Sequence, residues 1–119
     1  MIITGRSADV PPRDLHDGKT VFHVKKRVLI GPAQGARNYV MRLFTLGKGG
    51  MTPYHTHPWE HEVFIVQGKC LIKSGMEEIP VAAGDFAFVP PNEAHQFVNA
   101  GDEPLEFICV VPKEGEPTG

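Results

Sequence analysis

Short apolar runs separated by glycine, proline and asparagine make up most of the chain. Eight runs of this kind predict strands. They are Val21–Ile30, Tyr39–Leu46, His61–Gln67, Lys69–Lys73, Glu77–Val81, Asp85–Val89, His95–Asn99 and Leu105–Val111. Each ends at a turn signal, such as Gly31-Pro32, Gly47-Lys48-Gly49-Gly50, Ser74-Gly75, Pro90-Pro91-Asn92 or Gly101-Asp102. Gly68 stands between two runs and predicts a bend at a sheet corner. Nowhere do apolar residues recur at i, i+3, i+4 and i+7 for ten residues or more, so no helix of any length is expected. About eight short strands in one chain predict an all-β sandwich or barrel.

The ends read differently. Residues 1–20 hold Pro11-Pro12 and Asp17-Gly18 and predict an extended arm with turns. Residues 21–112 form the single expected domain, and residues 113–119 are expected to be a solvated tail.

Composition narrows the class. A chain of 119 residues that is 41% hydrophobic fits one domain with one core and needs no disulfide to fold. Its two cysteines, Cys70 and Cys109, do not form the framework of a secreted mini-protein, so a reducing, cytoplasmic setting is expected. Residues 1–7 lack the apolar stretch of a signal peptide, and no run approaches the roughly 18 apolar residues of a membrane span. The net charge is −2, and the cluster Lys25-Lys26-Arg27 runs straight into Val28-Leu29-Ile30. It reads as the solvated end of a strand, so nucleic acid is not an expected partner.

The candidate chemistry lies in Gly49 to Glu62. His55 and His57 are two apart, which on a strand puts both imidazoles on one face, about 6.5 Å apart at Cα. Rings at that separation can converge on one ion through bonds of about 2.0–2.2 Å. Pro58 holds His57 extended, and a turn through Pro58-Trp59-Glu60 lets His61 return toward the same point. A bare His-x-His is a weak signal. Three histidines around a proline, with His95 at the start of a distant strand, form a stronger one.

These residues resemble the cupin superfamily. Its first motif, G-x5-H-x-H-x3,4-E-x6-G, is matched at Gly49, His55, His57, His61 and Gly68, with histidine in the place of the usual glutamate. Its second, G-x5-P-x-G-x2-H-x3-N, is matched at Gly84, Pro90, Asn92, His95 and Asn99. Asn92 replaces a glycine and tolerates positive φ better than most residues. The resemblance implies a jelly-roll, or double-stranded β-barrel. The segments Lys26–Gly31, Tyr39–Thr45 and Phe107–Gly115 look like the small prokaryotic cupins with an all-histidine site. That subgroup implies Mn2+ first and Fe2+ next, in a homodimer. Glu62 competes with His61 for the glutamate position, but it breaks the spacing to Gly68 and has the opposite strand parity.

Four neutral ligands leave the ion nearly its full charge and make a bound water or substrate more acidic. On an octahedral ion they also leave two positions open, as at a catalytic site. Four histidines can instead close a structural zinc site, although a domain of this size needs no metal staple. Zn2+, Ni2+ or Cu2+ can fill such a site on purification. With no ligand glutamate to act as base, Glu60 or metal-bound hydroxide would serve. The expected function is an oxidoreductase using dioxygen or peroxide on a small organic substrate. The alternatives are a metal-dependent isomerase or lyase for a sugar-like or keto-acid ligand, and a non-catalytic binding protein.

Other residues have two readings. Trp59 lines the pocket mouth or anchors the loop. Arg42 faces outward or sits behind the ligands as an anion contact. Cys109 is a core thiol or faces the metal cavity, while Phe97 and Phe107 are expected in the pocket wall. His16 and His23 fit no ligand spacing and read as surface residues. The Val21–Ile30 strand lies outside both motifs and is expected to pair with a partner subunit's sheet.

Overall fold

The computed structural model describes residues 1–116 as an all-β, nearly closed barrel with no α-helix among them. Nine strands follow in chain order. They are β1 (Arg13–Asp14), β2 (Phe22–Ile30), β3 (Tyr39–Met51), β4 (His61–Gln67), β5 (Lys69–Ser74), β6 (Glu77–Ala82), β7 (Phe86–Val89), β8 (Gln96–Asn99) and β9 (Leu105–Pro112). The order across the sheet is β6-β5-β8-β3-β9-β4-β7, with β2 on β3 and β1 on β2. Among the described residues no helix is long and apolar enough to cross a membrane.

Alternation along the strands builds the core. On β9, Leu105, Phe107, Cys109 and Val111 are buried while the residues between them are half-exposed. On β4, His61, Val63 and Ile65 are buried while Glu62, Phe64 and Val66 are exposed. The parity ambiguity at Glu62 is thereby resolved, since His61 points inward and Glu62 outward. Period-two patterning of this kind is what a sheet with one solvated face requires.

The strand β3 runs past its expected end at Leu46 to Met51. Its glycines bend it instead of stopping it. Gly49 takes φ +75°, and at Gly50 a Cβ would come within 2.7 Å of the Gly47 carbonyl oxygen. Beyond the bend β3 leaves β9, its partner from Tyr39 to Leu46, and pairs with β8 at Met51–Val98. Gly68 makes the other corner, with φ +88° and no room for a Cβ against the Pro104 carbonyl. It sends β4 to β7 and β9, and β5 to β6 and β8.

β2 pairs with β3 of its own chain along nearly its full length. Two expectations are corrected. Lys26 is not at a solvated strand end, because it shares the inward parity of Val24 and is 7% exposed. Residues 113–116 are not a solvated tail. Lys113–Gly115 form a 3-10 turn in which Gly115 is buried, and the Glu116 side chain is 9% exposed. Residues 117–119 lie outside the described residues. His16 and His23 are exposed, stacked on each other 4.8 Å apart.

Candidate metal centre

Four strands and two loops bring the histidines together. His55 and His95 form an isolated antiparallel bridge in which each backbone N–H donates to the other's carbonyl, at 3.1 and 3.0 Å. Residues paired in this way project to the same face. The His57 carbonyl accepts from the Asn92 N–H at 2.7 Å, and Asn92 takes φ +65° to make that turn. This is the positive φ for which the family motif keeps glycine. Thr52 fastens the same end of the barrel. Its N–H donates to the Phe97 carbonyl at 3.0 Å, and its hydroxyl accepts from the Phe97 N–H at 2.9 Å.

One ligand atom each from His55, His57 and His95 falls within 4.8 Å of the others, a spacing that can hold a metal ion. His61 stands beside this group. Its ring centroid is 4.7 Å from that of His95 and 5.3 Å from that of His57. His61 is 5% exposed, and its Nδ1 is buried with no hydrogen-bond partner. A buried unpaired ring nitrogen costs free energy unless something binds it. The Nδ1 of His95 lies 2.9 Å from the Glu93 carbonyl oxygen. A carbonyl only accepts, so Nδ1 carries a proton, which leaves Nε2 as the nitrogen available to a metal.

Burial and neighbouring charge favour the neutral form of His55, His57 and His61. Burial first, and then the charges of His57, His95 and Arg42, push His55 down to about 4. Burial, followed by the neighbouring histidines and Arg42, pushes His61 down to about 3. His57 is lowered by burial and then by His95 and Arg42. A neutral imidazole is the form that ligates a metal.

The histidines lie in the wall of a cavity of about 440 Å³. The other walls are largely apolar, from Val21, Val24, Phe44, Phe97 and Phe107. Trp59 lines the cavity as well, stacked on His57 with centroids 4.6 Å apart and planes 9° apart. Cys109 satisfies both of its readings, being a 2%-exposed core thiol that also lines the cavity. Burial raises its pKa.

Arg42 faces inward, not outward, at 7% exposure. Its Nη2 donates to Cys109 Sγ at 3.1 Å and its Nη1 to Glu116 Oε1 at 3.2 Å. Glu60 is exposed and lines a separate surface depression with Glu62 and Tyr39. It therefore cannot act as a base in the cavity, because the Pro58–Glu60 turn points it away. The sequence reading missed Lys26, Glu114 and Glu116. Lys26 and Glu114 line the cavity, and Glu116 Oε2 accepts from Lys26 Nζ at 2.6 Å. Strand parity with Val24 marked Lys26. No local pattern marked Glu116, whose partners are 74 and 90 residues away.

A family profile described as the cupin domain matches residues 42–111. The oxalate-binding protein of Thermotoga maritima is 32% identical over 74 residues, 59% of this chain and 61% of that protein. The glucose-6-phosphate isomerase of Pyrococcus abyssi is 30% identical over 93 residues, 68% of this chain and 49% of that protein. The chain thus spans between about half and three-fifths of these curated relatives. Among solved structures, the polyketide cyclase RemF of Streptomyces resistomycificus superposes with a TM-score of 0.88 at 28% identity, covering 98% of this chain and 83% of that one.

Proposed function

Because the chain belongs to the cupin family, we propose that it is an enzyme holding one divalent metal on His55, His57, His61 and His95. Its substrate is a small organic molecule with an apolar body and an enolisable or chelating oxygen group. The observation that carries this reading is the cluster of imidazoles in the wall of a cavity otherwise lined mainly by aliphatic and aromatic side chains. His61 is the proposed fourth ligand because its ring lies 4.7 Å from that of His95, although its nitrogens fall outside the group of three that lies within 4.8 Å. Manganese is the ion that the resemblance to all-histidine cupins implies, with iron next. The all-imidazole donor set also accepts zinc, nickel or copper.

When bound, the metal would supply Lewis acidity toward a carbonyl or enolate oxygen. The chain's own residues do the rest. Phe97, Phe107 and Phe44 hold the apolar body and keep water from it, and Trp59 holds the His57 ring by stacking. Glu114, the acidic residue among the described lining of the cavity, is exposed and can pass a proton to solvent. The likeness to a polyketide cyclase over nearly the whole chain favours non-redox chemistry, namely proton transfer and ring closure on a polyketone-like substrate. Oxidation by dioxygen or peroxide is the second reading. It rests on the count of four protein ligands, which leaves an octahedral ion two further positions.

Exchange of the α-hydrogens of 1-tetralone with solvent deuterium, followed by NMR beside an oxygen electrode, tests both. Metal-dependent exchange without oxygen uptake is expected. Oxygen uptake without exchange selects the second reading, and neither signal in metal-loaded protein contradicts both. We also propose a homodimer, supported by the exposed side chains of Phe64, Phe86 and Phe88 on the outer face of β4 and β7. A one-chain mass in light scattering would contradict it.

A further inference from the structure

Two buried cations face the cavity from neighbouring strands. Lys26 on β2 sits opposite Phe44, and Arg42 on β3 sits opposite Val28, so the two are diagonal neighbours on one inward face. Each is 7% exposed, and both line the cavity that contains the histidines. Like charges side by side and out of water are costly unless answered by opposite charge. One carboxylate answers them. Glu116 reaches Lys26 through Oε2 at 2.6 Å and Arg42 through Oε1 at 3.2 Å. Among the described residues this buried cluster holds two positive charges and one negative; the carboxylate on the cavity wall, Glu114, is exposed to solvent and forms no ion pair with either cation.

The donors are also unevenly spent. A guanidinium has five N–H hydrogens. In Arg42 they serve the Cys109 carbonyl, Cys109 Sγ and Glu116 Oε1, which leaves one on each Nη. Lys26 has three and, among the described residues, makes a single side-chain hydrogen bond, to Glu116. A purely structural ion pair would carry one cation for the one carboxylate, and a hydrophobic residue at the other position would cost less.

We propose that Lys26 and Arg42 form an anion subsite that takes a carboxylate of the substrate, apart from the metal. Glu116 is the internal counter-ion that half-fills this subsite. The inference deepens the proposed function by adding a negative group to the apolar, oxygen-bearing substrate. An incoming carboxylate would use the unspent N–H groups and cancel the surplus charge, giving charge-assisted bonds in a water-poor wall. Neutral ligands of the same shape gain neither.

The test compares 3-cyclohexylpropanoate with its neutral amide on the full chain, stripped of metal with EDTA, at pH 8. Trp59, the only tryptophan, lines the cavity, so its fluorescence reports occupancy. The carboxylate is expected to bind at least about tenfold more tightly than the amide. Lys26→Met should bring the two affinities to within about twofold of each other. Glu116→Gln should tighten the carboxylate several-fold and leave the amide unchanged, which loss of a merely structural contact would not do. Equal affinities in the unaltered protein, no detectable carboxylate binding, or an unchanged preference in Lys26→Met would each overturn the subsite. No metal takes part, so failure here leaves the metal assignment standing, and a chain that holds no metal leaves this result standing.

Discussion

His55 and His95 exchange both backbone hydrogen bonds, and their ring centroids lie 4.9 Å apart. Two candidate ligands from segments 40 residues apart in sequence are thus placed by main chain alone. Removing either imidazole leaves the bridge intact. His55→Ala and His95→Ala are therefore expected to keep the far-ultraviolet circular dichroism of the parent. Each should weaken metal binding by more than about 100-fold, beyond the loss seen when only an outer partner of a ligand is removed. Loss of folded signal in both would show that the rings, not the bridge, hold this end of the barrel.

Acid should destabilise the metal-free protein over a defined window. The folded-state pKa values of His55 and His61 are depressed to about 4 and about 3, below the unfolded value of 6.5. Between those values the unfolded chain binds protons that the folded chain does not, so stability rises with pH. The contribution is fully present above pH 6.5 and is lost as pH falls through the folded values. Melting temperatures of chelator-treated protein should therefore drop progressively from pH 6.5 to pH 4. A flat profile over that range would contradict the burial of these rings.

Gly68 turns the chain from one sheet to the other at φ +88°, and a Cβ there would meet the Pro104 carbonyl oxygen at 2.7 Å. Gly68→Ala combines backbone strain with a clash against main chain that has little room to move. A loss of about 2–3 kcal/mol in urea unfolding is expected. A change under about 0.5 kcal/mol, the size of an ordinary surface substitution, would show that the corner relaxes freely.

Asn99 closes the second motif without touching the cavity. Its side-chain amide donates to the Leu46, Gly47 and Glu103 carbonyls at 3.0, 3.1 and 2.9 Å, and its Oδ1 accepts from the Gly101 N–H at 2.9 Å. The residue is 7% exposed, so Asn99→Ala strands several buried backbone groups. A loss of about 2–4 kcal/mol is expected, with metal affinity unchanged. Weakened metal binding at full stability would give Asn99 a role at the site that these contacts do not provide.

The strands and the histidines were readable in the sequence because both depend on local spacing. Period two fixes which face of β4 and β9 is inward, and it separates His61 from Glu62 once one face is known to be buried. Glycine was less decisive. Gly47 to Gly50 bend β3 toward β8, which local sequence does not distinguish from a strand end. The charged residues were the least readable. Arg42 and Lys26 interrupt apolar runs, and solvation is the default for such residues. Their charges are answered by Glu116, which lies 74 and 90 residues away along the chain. Glu60 went the other way, since nearness to ligands along the chain did not survive the turn at Pro58.

The central claim is a metal held by four imidazoles, with His61 as the unusual member. Elemental analysis together with EPR of manganese-loaded protein, parent against His61→Glu, tests it most directly. One manganese per chain is expected in both, with a changed spectrum and changed affinity in the variant because a carboxylate has replaced a neutral ring nitrogen. An identical spectrum and affinity in His61→Glu would show that His61 is not a ligand, and no bound manganese, iron or other divalent metal in the parent would contradict the site altogether.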